Sequence, residues 1–326
     1  MRWLRKRIRD DRGATAVFVG ILMIPLLGFA AISVDVGALY SEKAQLQNGA
    51  DAAALAIAQE CAKGKNCNSV SARALAATFA NGNSNDGVSN VLTPTLTANT
   101  VLVTTSTREG GADALSHPFA QFIGIDSSTV RARAVAEWKA LGTAKVLPLA
   151  ISLCDFNAAN ATSGKVVLIR YDENKPCKGT VGAPIPGGFG WLDRGGKAEC
   201  RVTVSAGTTV LSEAGNSYPN ACDSTFADID GEIVIIPVYN GANPATGPNK
   251  SFTLAGLAAF EIVGWKFAGG NSEPRVNAPP SDSGVQPCTG NCRGIQGSFV
   301  EYVCLAADCI GYGGPSFGAT AVRLID

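Results

Sequence analysis

A chain of 326 residues is long enough for one large core or two modest ones, so two domains are the first expectation. Its 27 basic and 27 acidic residues cancel, and no block of like charge follows the first dozen residues. This balance argues against a nucleic-acid partner.

The chain starts with a basic segment, residues 1–13. Its first twelve residues, MRWLRKRIRDDR, hold six cationic side chains against two acidic ones. Positive charge next to an apolar run tends to stay on the cytoplasmic side of a membrane. We therefore expect a cytoplasmic N-terminus.

An apolar run at residues 14–34 predicts a transmembrane helix. Ala14 to Val34 is 21 residues without a charge, and at about 1.5 Å per residue a helix of that length crosses a hydrocarbon layer of about 30 Å. The run is longer than the apolar core of a cleaved signal peptide. Cleavage near Gly28 is the alternative. With no second run of this length, we expect a single-pass cell-membrane protein whose bulk is extracytoplasmic.

Small residues on one face of this run are candidate contacts with other membrane helices. Ala16, Gly20 and Gly28 fall on that face at multiples of four residues. Because lipid provides no hydrophobic driving force between helices, close backbone approach at small residues supports association. The alternative is that this face contacts lipid.

A second helical pattern begins at Asp35 and ends near Cys61. Apolar residues step by three and four along one face, which we call the outer stripe: Val36, Leu39, Leu46, Ala50, Ala53 and Ile57. The segment is rich in Ala, so one continuous helix from about Ala14 to Cys61 is expected. The outer stripe either packs on the protein's own domain or binds a partner.

All ten cysteines follow the apolar run, and an even number in an exported segment indicates disulfides. Cys61 and Cys67 flank a predicted turn, so we expect a local bridge between them. The other eight can pair in 105 ways, and the sequence does not choose among them: Cys154, Cys177, Cys200, Cys222, Cys288, Cys292, Cys304 and Cys309.

Two stretches resemble a known family. They are RGATAVFVGILMIPLLGFAAISVDVGALYSEKAQLQNGADAAALAIA and, more weakly, HPFAQFIGIDSSTVRARAVAEW. The first is similar to the N-terminal region of the TadE/TadG-like Flp pilus-assembly proteins. This resemblance implies an accessory subunit of a pilus-assembly or secretion apparatus, with other pilus-assembly membrane proteins as partners and no enzymatic activity. Phe18 stands where processed pseudopilins carry Glu, which favours the uncleaved, TadG-like side.

Residues 35–142 predict the long helix, a short helix and a small antiparallel sheet with a pilin-like outline. NTVLVTTST and TVRARAVAEW are the predicted strands, with PFAQFIG as a short helix between them. Alternation in the second strand places Ala132, Ala134 and Ala136 on a buried face, opposite Arg131, Arg133 and Glu137.

Residues 143–326 predict an extracytoplasmic, disulfide-bearing all-β barrel or sandwich, so the whole is α+β. Turn-rich segments separate seven candidate strands: AKVLPLAIS, KVVLIRYD, CRVTVS, GEIVIIPVYN, AAFEIVGWKF, SFVEYVCLA and ATAVRLID.

No catalytic, cofactor or metal site is predicted. S-x-x-K, H-E-x-x-H and phosphate-loop motifs are missing from the sequence. The single His117 lies at a predicted turn, Asp230-Gly231 is read as a turn rather than a calcium loop, and Trp191 is read as a core residue.

Two functions remain open. The first is a membrane-anchored, non-enzymatic component of a Tad/Flp-type pilus-assembly system. The alternative is a cell-surface binding or adhesion protein whose β module recognises glycan or cell-wall polymer. An exported thiol enzyme would need a free cysteine.

Overall fold

The computed structural model describes residues 11–160, 165–171, 177–178, 184–185, 187–196, 198–213, 219–244, 250–267, 288, 290, 292–305 and 308–325. Contacts divide the chain into two compact units. The first comprises the chain to Cys61, Asn66–Glu137 and the last residues from Leu324. The second comprises Ala62–Lys65 and Trp138–Arg323. The fold is α+β with many strands.

The first unit is built on one long helix, followed by a second helix and by strands. The elements are α1 (Asp11–Ala62), α2 (Ser69–Gly82), β1 (Asn90–Val91), β2 (Thr95–Leu96), β3 (Thr100–Ser106), β4 (Leu115–Ser116), a 3-10 turn (Ala120–Ile123), β5 (Ser127–Ser128) and β6 (Arg131–Val146). Strand β6 continues past Glu137 into the second unit.

Helix α1 runs without interruption through Pro25, as the sequence predicted. It is the one helix in the described residues that is long and apolar enough to cross a membrane. Its most apolar 18-residue window has a mean hydropathy of 2.5, and none of that window is buried in the protein. An unburied apolar helix at the N-terminus is the feature expected of a membrane anchor.

The outer half of α1 packs against α2 through small side chains. On α2, Ala72, Ala76 and Ala80 repeat at four-residue intervals and are all buried. On α1, an added Cβ at Gly49 would lie 3.0 Å from Ala80 Cα. The two backbones therefore approach closely at this point, and even an alanine at Gly49 would require the helices to shift by a few tenths of an ångström.

Helix α1 also packs on the antiparallel pair β3–β6, which is paired from Thr100↔Glu137 to Ser106↔Arg131. The buried face of β6 carries Ala132, Ala134 and Ala136, as the alternation predicted. The expectation that Glu137 faces solvent is wrong, because only 4% of its surface is exposed. Alternation places a side chain on a face, but only the surrounding structure decides whether that face is covered.

The second unit consists mainly of two sheets. Its elements are the second half of β6, β7 (Leu149–Ser152), α3 (Leu153–Asn160), β8 (Val167–Arg170), β9 (Cys177–Lys178), β10 (Pro184–Ile185), β11 (Phe189–Trp191), β12 (Val202–Ser205), β13 (Thr209–Leu211), a 3-10 turn (Asn220–Cys222), α4 (Asp223–Asp228), β14 (Ile233–Asn243), β15 (Ser251–Lys266), β16 (Gly294–Val300), β17 (Tyr302–Cys304), β18 (Cys309–Tyr312) and β19 (Ala319–Ile325).

The larger sheet of this unit has the order β11-β7-β14-β15-β16-β8, with β13 also paired to β15. Most neighbours are antiparallel, but β7 and β14 are parallel. In the other sheet, β12 and β18 both pair with the second half of β6. The β17–β19 pair is parallel as well.

Each of the seven strands predicted for residues 143–326 contains an observed strand, but the expected all-β character is wrong. Two short helices, α3 and α4, interrupt the strands. At the start of α3, the backbone N–H of Asp155 donates to Ser152 Oγ at 3.2 Å, and the Ser152 hydroxyl donates to Asp155 Oδ2. This reciprocal capping stabilises a helix too short to show a hydrophobic period.

Aromatic side chains fill the core of the second unit. Trp191 is 4% exposed and packs edge-on against Phe226 and Phe267, which agrees with its prediction as a core residue. Burial raises the pKa of Tyr239, with a smaller contribution from Asp155. The Tyr239 hydroxyl therefore stays protonated and donates to the carbonyl of Gly188 at 3.2 Å.

The four disulfides with both cysteines among the fully described residues are local in sequence, and their presence confirms an oxidised framework. The structure joins Cys61 to Cys67, Cys200 to Cys222, Cys288 to Cys292, and Cys304 to Cys309. Cys154 is disulfide-bonded as well. The Cys177 side chain lies outside the described residues. Short bridges of this kind stabilise turns and do not join distant segments. The fold of each unit therefore depends mainly on its own hydrophobic core.

We predict that Gly49→Leu destabilises the first unit. The new side chain would collide with the Ala80 backbone, and overpacking of this kind costs about 1–3 kcal/mol. Thermal unfolding of the detergent-solubilised chain should show a lower midpoint for this variant.

The control is Gly37→Leu, at a helical position where an added Cβ meets nothing within 4 Å. It should leave the midpoint nearly unchanged. Equal midpoints for the two variants would contradict the close α1–α2 contact.

Candidate functional site at the end of the apolar span

The structure singles out Asp35, the first charged residue after the apolar run. Its side chain is 4% exposed, and its Oδ2 accepts hydrogen bonds from the backbone N–H groups of Phe119 (3.1 Å) and Ala120 (2.5 Å). Hydrogen bonds to a carboxylate are about twice as strong as neutral ones. Asp35 thus ties α1 to a segment more than eighty residues later in the chain.

That segment is the tip of a small hairpin, residues 117–126, which we call the hairpin tip. Strands β4 and β5 pair antiparallel below it. Across the base, the His117 N–H donates to the Asp126 carbonyl at 2.9 Å. Within it, the 3-10 turn ends at Gly124, whose φ of +85° is open to glycine without strain. The tip is therefore an ordered loop.

His117 also closes the hairpin base through its side chain. The ring is 3% exposed, and Nε2 lies 2.8 Å from Ser128 Oγ. In a catalytic triad the other ring nitrogen binds an orienting carboxylate, whereas His117 Nδ1 is buried with no hydrogen-bond partner among the described residues. The geometry supports a role for His117 in fixing the hairpin.

Polar side chains continue the attachment of α1 along the sheet. Lys43 Nζ donates to the Arg131 carbonyl at 2.5 Å, and Gln47 Nε2 donates to the Arg133 carbonyl at 3.0 Å. From the other strand, Thr105 Oγ1 donates to the Leu46 carbonyl at 2.9 Å. Lys43 therefore acts as a structural donor from α1 to the sheet.

The carboxyl group of Glu42 on α1 makes the stability of the first unit dependent on pH. Partial burial raises the pKa of Glu42, and the neighbouring Asp86 and Glu109 charges add to the effect. A raised folded-state pKa means that the folded protein favours the protonated form. The contribution of Glu42 to stability is therefore greatest at acid pH and is lost as the pH rises through its folded pKa.

The candidate contact residues of the span all lie on the surface. Ala16, Gly20 and Gly28 are exposed. At Gly20 and Gly28 an added Cβ would meet nothing within 4 Å. Nothing in the described part of the chain covers this face, which leaves it open to lipid or to another helix.

The outer stripe divides into two parts. Leu46, Ala50, Ala53 and Ile57 are at most 3% exposed, because α2 and the β3–β6 pair cover them. Val36 is 43% exposed and Leu39 is half-buried. Only the part next to the apolar span has surface left for a partner.

The sequence reasoning missed the contact between Asp35 and the hairpin tip. Both ends were visible as signals: a carboxylate directly after the apolar run, and a His-Pro turn before a short helix in the second stretch with family resemblance. Nothing in the sequence says that two signals so far apart in the chain meet.

The sequence reasoning also missed a G-x-S-x-G run, Gly314 to Gly318. In a nucleophile elbow this motif lies between a strand and a helix. Here the exposed Ser316 is followed by strand β19 from Ala319. The motif therefore lacks the context that would present a nucleophile.

The rest of the described chain offers little chemistry. Asp230 and Gly231 form a turn, no cluster of metal-ligating side chains is found in the described residues, and no cysteine described in full is free. In the second unit a cavity of about 130 Å³ is lined partly by charged side chains. They are already paired, Arg201 with Asp308 at 3.0 Å and Lys145 with Glu199 at 2.9 Å.

We predict that Asp35→Ala loosens the hairpin tip. The change leaves two backbone N–H groups without their acceptor, at a cost of about 1–3 kcal/mol for each buried group. Amide hydrogen exchange over residues 117–126 should accelerate by about tenfold or more, which corresponds to about 1.4 kcal/mol.

The matched variant is Asp35→Asn, which keeps an oxygen acceptor without the charge and should give an intermediate effect. Unchanged exchange in the alanine variant would show that Asp35 does not hold the tip.

Comparison with known proteins finds a family whose model matches part of this chain. Residues 13–60 match the model of the Tad family of TadE/G-like Flp pilus-assembly proteins. No curated protein and no solved structure matches the chain. The matched segment contains the apolar span, Asp35 and the outer stripe. This N-terminal segment is therefore similar to the TadE/G-like Flp pilus-assembly proteins, as its sequence motifs indicated.

Proposed function

We propose that the protein is a membrane-anchored, non-enzymatic accessory component of a Tad/Flp-type pilus-assembly or secretion apparatus. The observation that carries the proposal is the family match over residues 13–60, on a helix whose apolar part is unburied. The family match supports a pilus-related role. The unburied helix supports attachment to the membrane.

The orientation is part of the proposal. Six cationic side chains precede the span, which favours a cytoplasmic N-terminus. The disulfides all follow the span and form in oxidising compartments. Charge and cysteine placement thus agree on an extracytoplasmic position for both units.

The first unit supports a pilin-like part of the proposal. One helix continues from the apolar span and packs its outer half on an antiparallel strand pair, through Leu46 and Thr105 among others. In this arrangement the unit is fixed rigidly to its anchor. The apolar half of the helix remains free to contact other membrane subunits.

A glycan-binding function has no specific observation in its favour. The ring of Trp191 could stack on a sugar only if it were exposed, and it is buried among Phe226 and Phe267. We therefore propose the pilus-related role alone.

We predict that Gly20→Ile reduces co-purification of pilus-assembly membrane proteins with this chain. An added side chain at this position meets nothing within 4 Å in the monomer, so the variant should insert and fold normally. If Gly20 is a helix contact, the bulkier side chain separates the backbones. Recovery of partners should fall by about tenfold, equivalent to about 1.4 kcal/mol.

The control is Leu22→Ile, a change at another exposed position of the span, which should leave recovery unchanged. Equal recovery with both variants would remove the small-residue face as a contact. Recovery of cell-wall material instead of membrane proteins from the unmodified chain would contradict the proposed function.

We also predict that alkaline phosphatase fused after residue 326 is active in cells. This enzyme needs disulfides and therefore works only outside the cytoplasm. A fluorescent protein fused before Met1 should be the complementary cytoplasmic reporter. An inactive phosphatase fusion at normal expression would contradict the proposed orientation.

A further inference from the structure

The hairpin tip carries a cluster of large apolar side chains that are exposed rather than packed in the core of the first unit. Four of its large side chains are exposed: Phe119 (42%), Phe122 (83%), Ile123 (66%) and Ile125 (50%). No Asp, Glu, Lys or Arg occurs from residue 114 to residue 125. Clustered exposed apolar side chains on an ordered element mark an interaction site more often than isolated ones do.

The position of the tip along α1 suggests what covers it. Asp35 is the residue directly after the 21-residue uncharged run. A helix of that length rises about 32 Å, close to the thickness of the hydrocarbon layer. The Asp35 carboxylate therefore lies at the level where the span leaves the membrane. The backbone of Phe119 and Ala120 is hydrogen-bonded to this same carboxylate.

The span also carries exposed apolar side chains directly before Asp35. The last residues of the span are exposed as well, with Ile32 at 42% and Val34 at 59%. These exposed positions precede Asp35 by three residues and by one residue, respectively. The backbone N–H of Phe119 donates to Asp35, so the first exposed apolar residue of the tip is joined to α1 directly after these positions.

We propose that the hairpin tip inserts Phe119, Phe122, Ile123 and Ile125 into the membrane interface beside the point where α1 emerges. The occupant of this surface is lipid at the boundary between head groups and acyl chains, where aromatic and aliphatic side chains are accommodated. The inference rests on the proposed membrane anchoring. It adds a second membrane contact, made by a segment outside the family match.

This contact has a mechanical consequence. A single span leaves the attached unit free to rotate about the helix axis and to tilt. A second contact on one side of the helix, joined to it through Asp35, fixes which face of the unit points along the membrane. Val36 and the small-residue face of the span are then presented to partners in a defined direction.

The test uses the full chain with a photoreactive benzoylphenylalanine at one of three positions of similar exposure. These are Phe122 (83%) in the tip, Phe29 (70%) in the span and Val70 (78%) on α2. Val70 follows the far end of α1, about 40 Å along the helix from Asp35. Because all three side chains are exposed, the probe should not disturb folding.

Each protein is reconstituted in vesicles of phosphatidylethanolamine and phosphatidylglycerol, irradiated and analysed by mass spectrometry for lipid adducts. We expect adducts at positions 29 and 122, with position 122 labelled at least tenfold more than position 70. If position 29 is labelled and position 122 is not, the tip inference is overturned and the anchor stands. If position 29 is unlabelled as well, both are overturned.

The same three proteins are irradiated in intact cells. Lipid adducts at position 122 support the proposal under native conditions. Cross-links from position 122 mainly to another protein would overturn it, and would show that the tip is a protein-binding surface.

Discussion

The hydrogen bonds from Phe119 and Ala120 to the carboxylate of Asp35 connect the two environments of this protein. Helix α1 has to be apolar on all sides in one half and packed on its own unit in the other. A buried carboxylate at the changeover would be costly without partners. The hairpin tip supplies two donors to Oδ2, while Oδ1 is buried without a hydrogen-bond partner among the described residues. The two bonds hold the rest of the first unit at a fixed level on the helix.

In the part of α1 that follows Asp35, small side chains let the helix pack closely on its neighbours. Gly49 against Ala80 lets two backbones approach, and buried alanines on both helices leave no room for bulkier residues. Donors from Lys43 and Gln47 to strand carbonyls then fix the register of the helix on the sheet. Small side chains lose little conformational entropy on burial, so such an interface can be both tight and rigid.

The second unit obtains its stability differently. Its core contains a cluster of aromatic rings around Trp191, Phe226 and Phe267. Three of its disulfides, those that begin at Cys200, Cys288 and Cys304, join cysteines that are 22, 4 and 5 residues apart in the sequence. Local bridges constrain turns in the unfolded chain, while the aromatic core brings distant strands together. A unit of this kind suits an oxidising, extracytoplasmic setting, in agreement with the proposed orientation.

The sequence by itself determined the elements whose signals are local. The uncharged run and the spacing of apolar residues by three and four after Asp35 predicted the long helix. The alternation of apolar and polar residues predicted the strands. Both periods follow from backbone geometry alone. The family resemblance was visible in the same residues. The spacing of Cys61 and Cys67 indicated the bridge that the structure contains.

Only the tertiary structure decided which surfaces are covered. It buried Glu137 on a face expected to be solvated, placed Leu46 and Ile57 under α2 and the sheet while leaving Val36 exposed, and formed α3 through a capping contact of Ser152 with Asp155. It also brought Asp35 to Phe119. Such contacts join residues far apart in the chain, and their free energy depends on neighbours that no local period encodes.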